Sequence, residues 1–115
     1  MFQLATQSDH IAYPVTVEFV DEKGKVKPKT FKAHFPRLSQ TELDALIAQS
    51  TAKEIDDNDL ATTLLIGWDE VTDAAGEPIE FSPALRDKLL DIYPVRPSVI
   101  SAWFESISGG AKRKN

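Results

Sequence analysis

The clearest pattern in the chain is an alternation. Tyr13, Val15, Val17 and Phe19 are separated by Pro14, Thr16, Glu18 and Val20. A period of two rich in β-branched and aromatic residues predicts a strand. Asp21-Glu22-Lys23-Gly24-Lys25 reads as a turn, with Gly24 supplying a positive φ. Phe31, Ala33 and Phe35 then alternate with Thr30, Lys32 and His34, predicting a second strand that ends by Pro36. Together they predict a β-hairpin over 13–36 with one apolar face. A two-stranded hairpin is marginal alone, so that face must pack on the rest of the chain. Residues 1–12 show no period and are expected to form a loosely ordered leader.

Beyond Pro36 the period changes to that of helices. Ser39-Gln40-Thr41-Glu42 is a capping box, in which the Ser39 hydroxyl takes the Glu42 amide and the Glu42 carboxylate reaches back. Leu43, Leu46 and Ile47 continue it as a stripe, predicting a helix over about 40–52. Asp56, Asp57 and Asp59 suit the positive end of a helix dipole. Leu60, Leu64 and Trp68 follow four apart, with Leu65 beside them. A second helix is expected over 57–67, after which Trp68 and Val71 fold back. Thr72 to Pro78 is a turn, around which Val71, Ile79 and Phe81 either pair as a short hairpin or cap the core. Ser82-Pro83 opens a third helix, with Ser as cap and Pro at the first position. Leu85, Leu89, Leu90 and Ile92 carry it to Tyr93-Pro94. Pro97-Ser98 opens a fourth, whose Ile100, Trp103, Phe104 and Ile107 fall at i, i+3, i+4 and i+7. Gly109-Gly110 stops it. The expected fold is one α+β domain: an N-terminal two-stranded antiparallel β-hairpin packed on a bundle of about four short α-helices (39–108), followed by a flexible basic tail (109–115).

Composition narrows the function. Among 115 residues, 42% are hydrophobic, enough for one core, and there is no cysteine, which removes disulfides and thiolate metal sites. No apolar run approaches a membrane span, and the N-terminus lacks the pattern of a signal peptide. Residues 1–36 carry five lysines against four acids, and residues 37–111 carry five basic against fourteen acidic residues, or −9. Lys112-Arg113-Lys114 adds three, for a total of −5. So acidic a body repels phosphates, and neither nucleic acid nor membrane is an expected partner.

Reactive chemistry is sparse. His10 falls in the leader and His34 on the polar face of a strand, and neither has a ligand partner at sequence spacing. No phosphate-binding glycine loop, nucleophile elbow or zinc-binding helix signature occurs. Asp56-Asp57-Asn58-Asp59 resembles a calcium loop only at its start: the sixth and twelfth positions hold Ala61 and Gly67 instead of Gly and Glu. Asp69 and Glu70 are adjacent on an extended segment and point apart, so they are no acid–base pair. The expectation is a binding protein without catalytic residues, metal or cofactor. Trp68 and Trp103 read first as core. The surfaces left for a partner are the stripe Ile100, Trp103, Phe104 and Ile107 and the stripe Leu43, Leu46 and Ile47, one of which is expected to be only partly buried. Lys23, Lys25, Lys27, Lys29 and Lys32 make the hairpin cationic, either as a solvated edge that resists aggregation or as a contact for acidic surfaces.

The order of parts adds a family. FKAHFPRLSQTEL (31–43), LLIGWDEVTDAAGEPIEFSP (64–83), ALRDKLLDIYPVRPSVISAWFESI (84–107) and GGAKRKN (109–115) follow one another. The segment from Gly67 to Pro83 sets a Trp and a short acidic stretch before Asp-x-x-Gly-x-Pro and Phe-Ser-Pro. Phe35, Arg37, Leu38, Glu42 and Leu43 form a strand-to-helix junction, and the chain closes on Lys/Arg before Asn. Over residues 13–115 this resembles the tail assembly chaperones of long-tailed bacteriophages and prophages. The resemblance implies a cytoplasmic protein of the bacterial host that binds the tape measure protein, keeps it soluble, helps recruit tail tube subunits and is absent from the mature virion. It also implies a longer frameshifted form, with Lys114-Asn115 the place for a slippery A-rich codon run. It carries over no catalytic or partner-binding residues. Self-association is a further use of the same surfaces. A structural minor tail or tail completion protein retained in the virion, and a small prophage-encoded regulatory binding protein, are the alternatives.

Overall fold

The fold is that of a computed structural model, which describes residues 8–108. Residues 1–7 of the expected leader (1–12) and the basic tail over 109–115 lie outside the described residues. The chain is α+β. Strands β1 (His10–Val20) and β2 (Val26–Pro36) form the hairpin, and helices α1 (Gln40–Thr51) and α2 (Asp57–Leu64) follow. A short β3 (Gly67–Asp69) precedes α3 (Pro83–Leu90) and α4 (Val95–Ile107). The sheet is antiparallel, in the order β1-β2-β3.

Four boundaries differ from expectation. The first strand begins at His10, inside the expected leader, because the Arg37 amide donates to the Asp9 carbonyl (3.0 Å) and its Nε to the Ser8 carbonyl (2.8 Å), lengthening the hairpin at its base. The second helix stops at Leu64 and not at 67. Leu65 turns to extended backbone, and the Ile66 amide donates to the His34 carbonyl at 3.0 Å, which starts a third strand within the expected helical body. Helix α4 begins at Val95 and takes Pro97 into its first turn, where the missing amide has no partner to lose. Ile92 falls in the turn between α3 and α4, half exposed, and not on a helix stripe.

The caps are where the sequence places them. Ser39 Oγ accepts from the Glu42 amide (3.1 Å), and the Ser39 amide donates to Glu42 Oε1 (2.9 Å). Asp56 and Asp59 make the same reciprocal pair at the start of α2. Ser82 Oγ accepts from the Leu85 amide at 3.2 Å, with Pro83 following. In the hairpin turn, Asp21 Oδ1 accepts from the Lys23 and Lys25 amides, and Gly24 has φ 81°.

The core lies between the inner face of the sheet and α2 and α4. Val15, Val17, Phe31, Ala33 and Phe35 meet Leu60, Ala61, Leu64 and Leu65, with Trp68, Leu90, Val95, Val99, Ala102 and Trp103 completing it. The buried stripe of α4 is therefore Val95, Val99, Ala102 and Trp103, turned from the expected Ile100, Trp103, Phe104 and Ile107. Small side chains at 99 and 102 let the helix approach the sheet, and Ile100, Phe104 and Ile107 are displaced to its flanks while Trp103 stays inside.

Candidate interaction surface

The structure divides the candidate surface residues. Trp103 is only 2% exposed, so it belongs to the core and touches no partner in this conformation. Its neighbour Phe104, edge-on to it at 4.9 Å, is 40% exposed. Ile100 and Ile107 are half-buried, as are Leu43, Leu46 and Ile47. Helix α1 buries no residue fully and is held to the core by these three apolar side chains.

The lysines do not form one surface. Alternation along β2 puts Lys27 and Lys29 on the face that buries Phe31, Ala33 and Phe35, and Lys32 on the opposite face. Lys25 closes the turn opposite Asp21, whose amide donates to the Lys25 carbonyl at 2.9 Å. Val26 to Thr30 are all exposed. The outer half of the hairpin therefore projects beyond the helices, and Lys27 and Lys29 lie on the inner side of this arm.

Beneath the arm is an apolar cleft of about 340 Å³. Val17, Phe31 and Val95 are its buried floor, and half-buried Phe19, Val71 and Leu89 are its walls. Lys29 and Glu70, both exposed, stand at its mouth. Four of the largest exposed apolar side chains are at this end of the molecule or in the turn beside it: Val20, its cross-strand partner Val26, Ile92 and Tyr93, the last 85% exposed. Sequence reasoning did not single out this cleft. The signal was Phe19, which continues the inward alternation past the reach of the helices.

A second arrangement joins residues far apart in sequence. The ring nitrogen Nε2 of His34 lies 2.9 Å from Asp69 Oδ2, and the rings of His34 and His10 stack at 4.7 Å. His10 Nδ1 lies 3.1 Å from Asp9 Oδ1, and this hydrogen bond, with the charge of the ring, holds the exposed Asp9 carboxyl below its ordinary value. Sequence spacing missed both contacts because β3 and the base of the hairpin create them. Gly67 is what lets β3 approach: a Cβ there would lie 2.8 Å from His34 Nδ1. Gly67→Ala is expected to lower stability by about 1–3 kcal/mol through this overlap. Thermal melts of Gly67→Ala, His34→Ala and the double variant check it, with the double variant losing less than the sum.

Among the described residues, no helix is long and apolar enough to cross a membrane, and no group of three or more His, Asp or Glu is placed to hold a metal ion. No family model, no curated protein and no solved structure matches this chain.

Proposed function

We propose that this chain is a non-catalytic assembly chaperone of the long-tailed phage type. It acts in the cytoplasm of the bacterial host, binds the tape measure protein, keeps it soluble while tail tube subunits are recruited, and is not retained in the virion. The client follows from the sequence resemblance over residues 13–115. The observation that carries binding is the cleft beneath the hairpin arm. An apolar hollow with a charged mouth takes the apolar side chains of an amphipathic helix without becoming an aggregation site itself. Lys27 and Lys29 favour a client whose apolar face is flanked by acids.

Co-expression tests the reading. A tape measure fragment that is insoluble alone is expected to stay soluble and co-purify with the parent chain. Phe19→Ser with Lys29→Glu is expected to weaken binding at least tenfold, the scale of a lost interface hot spot. Lys27→Glu with Lys29→Glu, both on exposed positions, removes the charge without touching the floor and is expected to weaken binding less. Equal solubilisation by all of these, with unchanged melting, would remove the cleft from the mechanism. Failure of the parent chain to solubilise any tape measure fragment would remove the client.

A further inference from the structure

The prolines of the hairpin reveal which backbone groups of β1 are free. Pro14, Pro28 and Pro36 fall opposite Lys32, Glu18 and His10. Antiparallel pairs alternate between those that exchange both ladder hydrogen bonds and those whose amides and carbonyls point away. These three pairs are of one class, and a proline has no amide to give, so that class points away. The other parity is the bonded one: the Asp21 amide donates to the Lys25 carbonyl at 2.9 Å and the Arg37 amide to the Asp9 carbonyl at 3.0 Å. Because β1 is at the margin of the sheet, the amides and carbonyls of Thr16, Glu18 and Val20 face outward from an edge that no other described strand pairs.

That edge opens into a groove of about 700 Å³ whose opposite wall is α4. Ser98 and Ser101, with only the margin of buried Ala102 between them, give this wall a shallow, small-residue surface, and Tyr93 also lines the groove. The described lining contains two carboxylates, Glu18 and Glu105, and no basic residue. Pro14 ends the ladder on one side and the hairpin turn on the other, leaving the length from Thr16 to Val20.

We propose that this groove takes an extended basic segment of another protein as a fourth strand, added to the β1 edge. The open donors and acceptors recognise extended backbone. Side chains of the added strand alternate in direction. One set lies over Ser98, Ser101 and Ala102 and is apolar and small. The other lies beside Glu18 on the outer face and is Lys or Arg. A second copy of β1 is a poor occupant, since it carries no Lys or Arg and brings its own Glu18 and a proline to the same edge.

The probe is a seven-residue capped peptide of alternating Val and Lys, with a Val/Glu peptide as control. Binding of the Val/Lys peptide is expected to shift the amide NMR signals of Thr16, Glu18 and Val20 and to slow their hydrogen exchange, with the Val/Glu peptide at least tenfold weaker. Glu18→Lys, an exposed substitution, is expected to reverse that preference. Unchanged exchange at the three amides at millimolar peptide, shifts confined to the lysine arm, or a Glu18→Lys chain with the parent's preference would overturn the proposal. The groove is independent of the client reading: the cleft variants act on tape measure solubility and leave peptide addition intact.

Discussion

Trp103→Ala is expected to lower the stability of the domain by about 3–5 kcal/mol, while Phe104→Ala, one residue along, changes it by less than about 1 kcal/mol. Both are apolar aromatics on one helix, and periodicity alone places them on the same stripe. In the fold the Trp103 ring is enclosed by the core, so truncation leaves a cavity that the sheet and α2 close only in part. Phe104 keeps much of its ring in water, and its removal costs little transfer free energy. A domain of this size has about 5–15 kcal/mol in total, so Trp103→Ala takes a large share of it. Urea or thermal unfolding of the two variants checks the contrast. Equal losses would mean that α4 is rotated from the position described, with Phe104 turned inward.

Trp68→Ala is the second large effect, expected at about 3–5 kcal/mol, with Trp68→Phe losing about 1–3 kcal/mol. Trp68 sits on β3 opposite Ala33 and packs edge-on against Phe81 at 5.0 Å. Its indole Nε1 donates to the Ile79 carbonyl at 2.8 Å, which ties the turn after β3 to the sheet. The same turn is closed by the Ile79 amide donating to the Val71 carbonyl at 2.8 Å, and Val71 is a wall of the cleft. Trp68→Phe keeps most of the ring contacts and frees only the carbonyl. It is therefore expected to raise amide exchange at Val71 and Ile79 more than elsewhere, which hydrogen exchange by NMR measures. Uniform exchange across the domain would show that the hydrogen bond does not hold this turn.

Both variants bear on the proposed site. The arm is built by the hairpin, but its cleft is completed by Val71, Leu89 and Val95, which arrive from three separate segments. The proposed client-binding surface depends on the body holding those side chains at a fixed distance below Phe19. Loosening the turn through Trp68→Phe is therefore expected to weaken client binding even though Trp68 lies outside the cleft lining.

Local chemistry was legible without coordinates. The hairpin followed from alternation, its turn from Asp21 and Gly24, and the first three helix starts from Ser39, Asp56 and Ser82, because caps and turns are formed by residues within four positions of one another. The α+β class and the inward set Val15, Val17, Phe31, Ala33 and Phe35 follow from the same alternation. What tertiary structure decided is every feature that joins distant segments. It ended α2 at Leu64 so that Gly67 and Trp68 join the sheet, and it turned α4 so that Val99 and Ala102 face inward. It stacked His10 on His34, set β1 at the margin of the described sheet, and hung the hairpin arm over Leu89 and Val95. A helix stripe records which residues are apolar, but the angle at which the helix meets a sheet is set by the volumes on both sides, and a single strand of sequence does not contain the other side.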